Sequence, residues 1–243
     1  MGRVVRHGYM DKIIQCECER EKLVVRDFNI LEIGSWAGGS TITFAEAIKK
    51  YNGGRGKVTA VDAWQSFHGE NMEKSSHAVM EKALQENKIF DLFLHNIKSA
   101  GVEKLVEVKR GWSKDILPAM LTENFDLIFI DGSHFYKDVL FDLQNSAQLL
   151  KSGSVMCGDD LELQFNEVDQ RNLLEHKGND TLLDPKFGSK YHPGVTLAVR
   201  EFFGEEITCW KGFWAMRKTD IGWEKISYKE LDEDKIQIPK HLW

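Results

Sequence analysis

Two apolar runs in this chain end in acids. Phe125-Asp126-Leu127-Ile128-Phe129-Ile130 leads into Asp131, and Ser154-Val155-Met156-Cys157-Gly158 leads into the pair Asp159-Asp160. Neighbouring strands lie roughly 5 Å apart, so if these runs are adjacent strands their three carboxylates can converge on one ion. Ligands that are all oxygen favour Mg2+, with Mn2+ or Ca2+ as alternatives. Taken alone, Asp159-Asp160 reads as the cap of a following helix, and His134 as an ordinary loop histidine. Three acids and a histidine at two successive strand ends read better as a site.

A second constellation lies earlier in the chain. Asn29-Ile30-Leu31-Glu32-Ile33 is a short strand, Gly34 to Gly39 a turn with three glycines, and Ser40-Thr41 opens a helix that continues through Ile48. Glycines let a backbone approach a ligand closely, and a helix N-terminus offers unpaired N–H groups, so a nucleotide-like guest is expected. The spacing Gly34-x-x-x-Gly38-Gly39 is not the G-x-G-x-x-G of dinucleotide folds, which argues against NAD. Lys57-Val58-Thr59-Ala60-Val61 reads as a second strand ending in Asp62. An acid there either accepts hydrogen bonds from both hydroxyls of a ribose or caps a helix.

Glu32, Gly34, Gly38 and Ser40 fit E-[IL]-G-x-x-x-G-x-S, and the stretch resembles the first motif of class I S-adenosylmethionine-dependent methyltransferases. The form is that of metal-dependent O-methyltransferases of the catechol type, which tolerates Trp36 where many relatives have a middle glycine. The resemblance spans about residues 28–217 and implies S-adenosyl-L-methionine as cofactor, held by Glu32, Gly34, Ser35, Trp36, Gly38, Ser40, Thr41, Asp62 and Asp131. It puts adenine contacts at Trp112 or Ser113, after the third strand Leu105 to Lys109. Asp62-Ala63-Trp64 is similar to the D-x-W of macrocin O-methyltransferase-like enzymes, which methylate sugar hydroxyls, and Trp64 would then line the pocket or simply pack.

In catechol-type enzymes a lysine three residues after the first metal-binding Asp is the general base. Here that position is His134, and Asp131-Gly132-Ser133-His134 looks like the D-G-S-H of macrolide-sugar O-methyltransferases, whose histidine is the proposed base. An imidazole of ordinary pKa, about 6.5, is substantially neutral near neutral pH and can take a proton. The resemblance therefore implies metal ligands Asp131, Asp159 and Asp160. It also implies a hydroxyl acidified by Mg2+, deprotonation by His134, and in-line attack on the sulfonium methyl.

The elements needed to position these residues alternate strand and helix. That pattern predicts an α/β, Rossmann-like, doubly wound, mostly parallel seven-stranded sheet with helices on both faces. Glu206 to Trp210 and Gly212 to Arg217 supply an antiparallel closing pair. Residues 69 to 100 are helical in pattern. Residues 1–27 read as an N-terminal extension, 161–193 as a polar, irregular lid over the substrate, and 218–243 as a charged tail. With 243 residues the chain suits one domain.

A formal charge of −6, with no basic stripe, disfavours nucleic acid. Cys16, Cys18, Cys157 and Cys209 form no disulfide framework and read as thiols of a reducing compartment. No apolar run is long enough to span a membrane, so a cytoplasmic protein is expected. The expected partner is a small-molecule hydroxyl acceptor, plausibly a sugar or glycosylated metabolite, with homo-oligomerisation left open. Two other readings stand beside this one: a metal-independent N- or carboxyl-methyltransferase, and a non-catalytic methyltransferase-like cofactor-binding subunit.

Overall fold

A computed structural model describes residues 4–20, 26–66, 78–120, 125–228 and 236–242. The first nine residues of the helical pattern over 69–100 lie outside them. The remainder of that pattern forms two helices, α3 (Ala78–Gln85) and α4 (Lys88–Ser99), separated where Asn87 adopts a left-handed φ of 57°.

The sheet is built from β1 (Phe28–Ile33), β2 (Gly56–Asp62), β3 (Val106–Arg110), β4 (Phe125–Ile130), β5 (Leu150–Leu161), β9 (Gly212–Thr219) and β10 (Gly222–Lys225). Their order across it is β10-β9-β5-β4-β1-β2-β3, and the short β8 (Thr208–Trp210) pairs with β9 off that path. The five strands from β5 to β3 run parallel, and β9 joins β5 antiparallel. The fold is thus a Rossmann-like, doubly wound α/β sheet with an antiparallel closing strand. The sheet continues past Arg217, where sequence expectation ended it, because the turn at Asp220-Ile221 returns β10 along β9. The chain leaves β1 toward β2 and β3 and comes back to β4 on the other side, so the switch point for a ligand lies between β1 and β4.

Strand alternation divides the core into two layers. Ile30, Leu127, Phe129, Val155, Cys157 and Phe213 face α1 (Val5–Arg20), α2 (Gly39–Asn52) and α4. Leu31, Ile33, Ile128, Ile130, Met156 and Trp214 face α6 (Tyr136–Leu149) and α8 (Pro193–Phe203). The same parity puts Glu32 on the α2 face and Asp159 on the α1 face.

The N-terminal extension is therefore part of the core. Tyr9, Met10, Ile13 and Ile14 of α1 are at most 1 % exposed. The far end of that helix is tied down as well, by paired hydrogen bonds from Arg217 to Glu17, at 2.8 and 2.9 Å.

Residues 161–193 are more ordered than their polarity suggests. They contain α7 (Gln170–Glu175), which Asp169 caps through the N–H of Asn172, and the two-strand ribbon β6 (Leu182–Leu183) with β7 (Lys190–Tyr191). Val168, Leu173 and Tyr191 form a small apolar cluster with Leu197 of α8. No helix among the described residues is long and apolar enough to cross a membrane.

Candidate active site

At the carboxyl ends of β1, β2 and β4 lies a cavity of about 540 Å³, within the roughly 300–1,000 Å³ usual for small-molecule sites. Gly34, Trp36, Asp62, Trp112, Ser113 and Asp131 are among its lining residues. That size and mixed lining suit a nucleoside-sized ligand with a charged end.

The glycine turn is held from below. Glu32 is fully buried, accepts hydrogen bonds from Ser35 Oγ at 2.9 Å and from the Thr41 hydroxyl, and is also bonded by Ser40. Burial raises its pKa to about 7 despite those hydroxyls. Glu32, Ser40 and Thr41 thus brace the turn against the first turn of α2 and, like Ser35 and Gly38, are not among the residues that line the cavity. Of the two readings open for Trp64 the structure takes packing: it is 1 % exposed, wedged against Phe90 and Phe93, with Nε1 donating to the Trp36 carbonyl at 2.7 Å.

Asp62 has a dual position. One of its oxygens accepts the N–H groups of Ser35 and Trp36 at 3.0 and 2.9 Å, and the other accepts that of Trp64 at 2.6 Å. A carboxylate has about four lone-pair sites, so the one left over is what Asp62 can offer a ribose from its place in the cavity wall.

The glycines also bring separate elements together. A Cβ on Gly34 would meet the Asp131 carbonyl oxygen at 2.0 Å, and one on Gly38 would meet the Phe93 ring at 3.1 Å. Both residues have φ of +88°. Their freedom lets β1, β4 and α4 close on one another beneath the ligand.

On the other side of Asp131 lies the acid cluster. The strands β4 and β5 are neighbours, and one oxygen each of Asp131, Asp159 and Asp160 lies within 4.8 Å of the others. Successive strand residues point to opposite faces, so a regular β5 could not present both Asp159 and Asp160. A bulge solves this: Gly158 pairs with Trp214 and Leu161 with Gly212, three steps against two, and Asp160 takes a left-handed φ of 64°. This donor set of three carboxylates fits a hard divalent cation.

The structure also supplies cations of its own. Arg6, from α1, reaches Asp131 at 3.2 Å and forms an ion pair with Asp159. His134 Nε2 lies 3.0 Å from Asp160, and Nδ1 lies 2.8 Å from Asp180 of the 161–193 segment. The His192 ring sits 4.1 Å from that of His134, with Nδ1 3.0 Å from Glu162.

Burial pushes Asp131 well up, with Arg6 opposing and the charges of Asp160 and Asp159 adding to it; burial and the Asp160 charge likewise raise Asp159. For Asp160 burial acts upward but is outweighed by the His134 hydrogen bond, which holds it below the ordinary range. Burial also acts against His134's charge, and the hydrogen bonds to Asp160 and Asp180 overcome it, raising the imidazole to about 10, so that with both carboxylates in place it is not the neutral imidazole expected from the sequence. Arg6, Asp180, Glu162 and His192 are the site residues that sequence reasoning did not assign. Asp180 and His192 fall in the polar 161–193 stretch without a motif to mark them, and Arg6 carries no local signal.

One prediction follows from the imidazole. A histidine whose pKa is raised on folding contributes stability that is complete below its unfolded pKa and is lost as pH rises through the folded one. In EDTA, melting temperature should therefore fall between the ordinary value of about 6.5 and about 10. Asp180→Asn should flatten that fall and lower the His134 midpoint in an NMR titration; an unchanged midpoint would mean that Asp180 does not hold the ring.

The chain matches the methyltransferase-domain family over residues 31–161, more than half its length. A catechol O-methyltransferase of Niastella koreensis is 26% identical over 188 residues, covering 70% of this chain and 72% of that protein. An uncharacterised Sinorhizobium fredii protein is 22% identical over 209 residues, of which this chain spans 20% of the length. Among solved structures, the Bacillus cereus O-methyltransferase in complex with S-adenosylhomocysteine superposes with a TM-score of 0.53 at 22% identity, covering 88% of this chain and 80% of that one. The O-methyltransferase NovP gives 0.58 at 18% identity, covering 87% and 80%. Glycine turn, switch-point cavity and family match agree: the chain belongs to the methyltransferase-domain family, the class I S-adenosylmethionine-dependent methyltransferases.

Proposed function

We infer that this methyltransferase acts on a hydroxyl of a small molecule, plausibly a sugar or glycosylated metabolite, and not on nucleic acid. One observation carries the reading: Asp131 lines both the nucleoside-sized cavity and the narrow cleft that holds Asp159, Asp160 and His134. A methyl donor in the first is therefore next to acid–base groups in the second, and positioning of that kind supplies much of a displacement's rate.

Trp36, Trp112, Ser113 and the last lone pair of Asp62 would orient the nucleoside in its cavity. Asp131, Asp159 and Asp160 would hold Mg2+, with Mn2+ or Ca2+ as substitutes, and that ion would lower the pKa of the acceptor hydroxyl. His134 is proposed as the base. Asp180 holds Nδ1–H, which leaves Nε2, the nitrogen that faces Asp160, as the atom that would take the proton; a metal held by Asp160 would free it for that role. Glu162, Asp180 and His192 form a polar rim beside His134, chemistry that suits an acceptor with several hydroxyls. The catechol acceptor named for the Niastella koreensis relative, with two adjacent hydroxyls, supports the same class.

The test is transfer of labelled methyl from S-adenosylmethionine to a panel of catechols, sugars, amines and carboxylates, with and without EDTA. Turnover on hydroxyls that EDTA abolishes is expected. Transfer confined to amines or carboxylates and indifferent to EDTA would replace this reading with the metal-independent one.

A further inference from the structure

The divalent ion proposed above and Arg6 compete for the same carboxylates. The guanidinium lies on Oδ2 of Asp131 and on Oδ2 of Asp159, two of the three carboxylates available to a metal. The cleft beside them holds about 10 Å³ of free space, room for roughly one water, with Ile130, Val139, Val195 and Trp214 among its lining residues. An ion with its remaining waters or an acceptor oxygen needs more room than that, and the guanidinium occupies two of the carboxylates it would use.

Arg6 is also poorly satisfied where it sits. Its Nε is buried and has no hydrogen-bond partner among the described residues. A buried donor left unmade costs about 1–3 kcal/mol, so the seat is held by charge and not by complementary geometry. The rest of the first turn of α1 is differently anchored. His7 Nδ1 lies 2.8 Å from Thr43 Oγ1, which is also 2.9 Å from His241 Nε2, and a Cβ on Gly8 would strike Ile236 at 2.3 Å. The first turn of α1 is therefore clasped between α2 and the segment 236–242, while Arg6 alone reaches inward.

The geometry points to Arg6 as a tethered counter-ion of the Asp131, Asp159 and Asp160 cluster, one whose side chain a divalent cation displaces while His7 and Gly8 keep the turn in place. The inference rests on the metal reading of the cluster. It adds that the helix outside the family match supplies the cluster's counter-ion in the cation-free protein and withdraws it when the ion arrives. The exchange favours the ion in charge: one positive charge leaves the three carboxylates and two arrive.

The test uses Mn2+ alone, titrated into the full chain without S-adenosylmethionine and followed by electron paramagnetic resonance. Arg6→Gln is expected to bind Mn2+ roughly tenfold or more tightly than the wild type, since the ion no longer has to break a buried charge pair. Independently of any variant, the Arg6 side-chain N–H signal of the wild type should shift in an NMR spectrum on adding Mg2+. Equal Mn2+ affinity in the two proteins, or an Arg6 side-chain signal that does not change, would overturn the role of Arg6 and leave the metal site standing. Binding to neither protein would overturn the metal reading and this inference together.

Discussion

Gly34→Ala should abolish S-adenosylhomocysteine binding and cost more than about 3 kcal/mol of stability. Two effects act together. The new Cβ would lie 2.0 Å from the Asp131 carbonyl oxygen and 2.5 Å from its carbon, and both atoms belong to backbone that cannot rotate away. The φ of +88° is in addition one that alanine adopts only under strain. Relief requires β1 and the end of β4 to part, which opens the cavity floor and shifts Asp131. For a chain of this size the loss corresponds to a melting temperature lower by about 6 °C or more. Calorimetry with the nucleoside and a thermal melt measure the two consequences separately. A variant that melts normally and binds the nucleoside would show that the close approach of Asp131 to Gly34 is not what shapes the cavity.

Asp160→Asn should leave nucleoside binding within about twofold of wild type while lowering methyl transfer to a hydroxyl acceptor by roughly 10²–10³-fold, the scale seen when one preorganised electrostatic group is removed from an active site. The substitution keeps shape and tolerates the left-handed backbone, since asparagine visits φ near 64° readily. What changes is charge: one of the three clustered carboxylates is neutralised, and His134 loses the charged partner that faces its Nε2. Asp160 is absent from the cavity lining, so the cofactor side should not register the change. Full turnover in this variant would remove the carboxylate cluster from the reaction.

What could be read from the sequence was what repeats locally. Apolar runs ending in Asp62, Asp131 and Asp159 announced the strands and their carboxyl ends, and the glycine spacing after β1 announced the kind of ligand. Parity along a strand was equally available: with Leu31 and Ile33 on one face, Glu32 had to lie on the other, against α2, and so to brace the turn and not line the cavity. What could not be read was which distant residue arrives at the site. Arg6 meets Asp159 across 153 positions, and Asp180 meets His134 across 46. A single arginine in a mixed-charge helix, or one aspartate in a polar segment, has no pattern that marks it. The bulge at Asp160 was hidden for a related reason, because an extra residue is visible only against the strand it pairs with.

The way α1 is built in bears on how this protein could be recombined with its relatives. The family match begins at Leu31, which invites an exchange of modules at that border. Tyr9, Met10, Ile13 and Ile14 lie beyond it, and full burial of such side chains is worth about 1.5–3 kcal/mol apiece, together of the order of a whole domain's net stability. A chimera cut there would inherit a sheet with one apolar flank uncovered. The heritable unit is larger than the shared motif, and the helix travels with it.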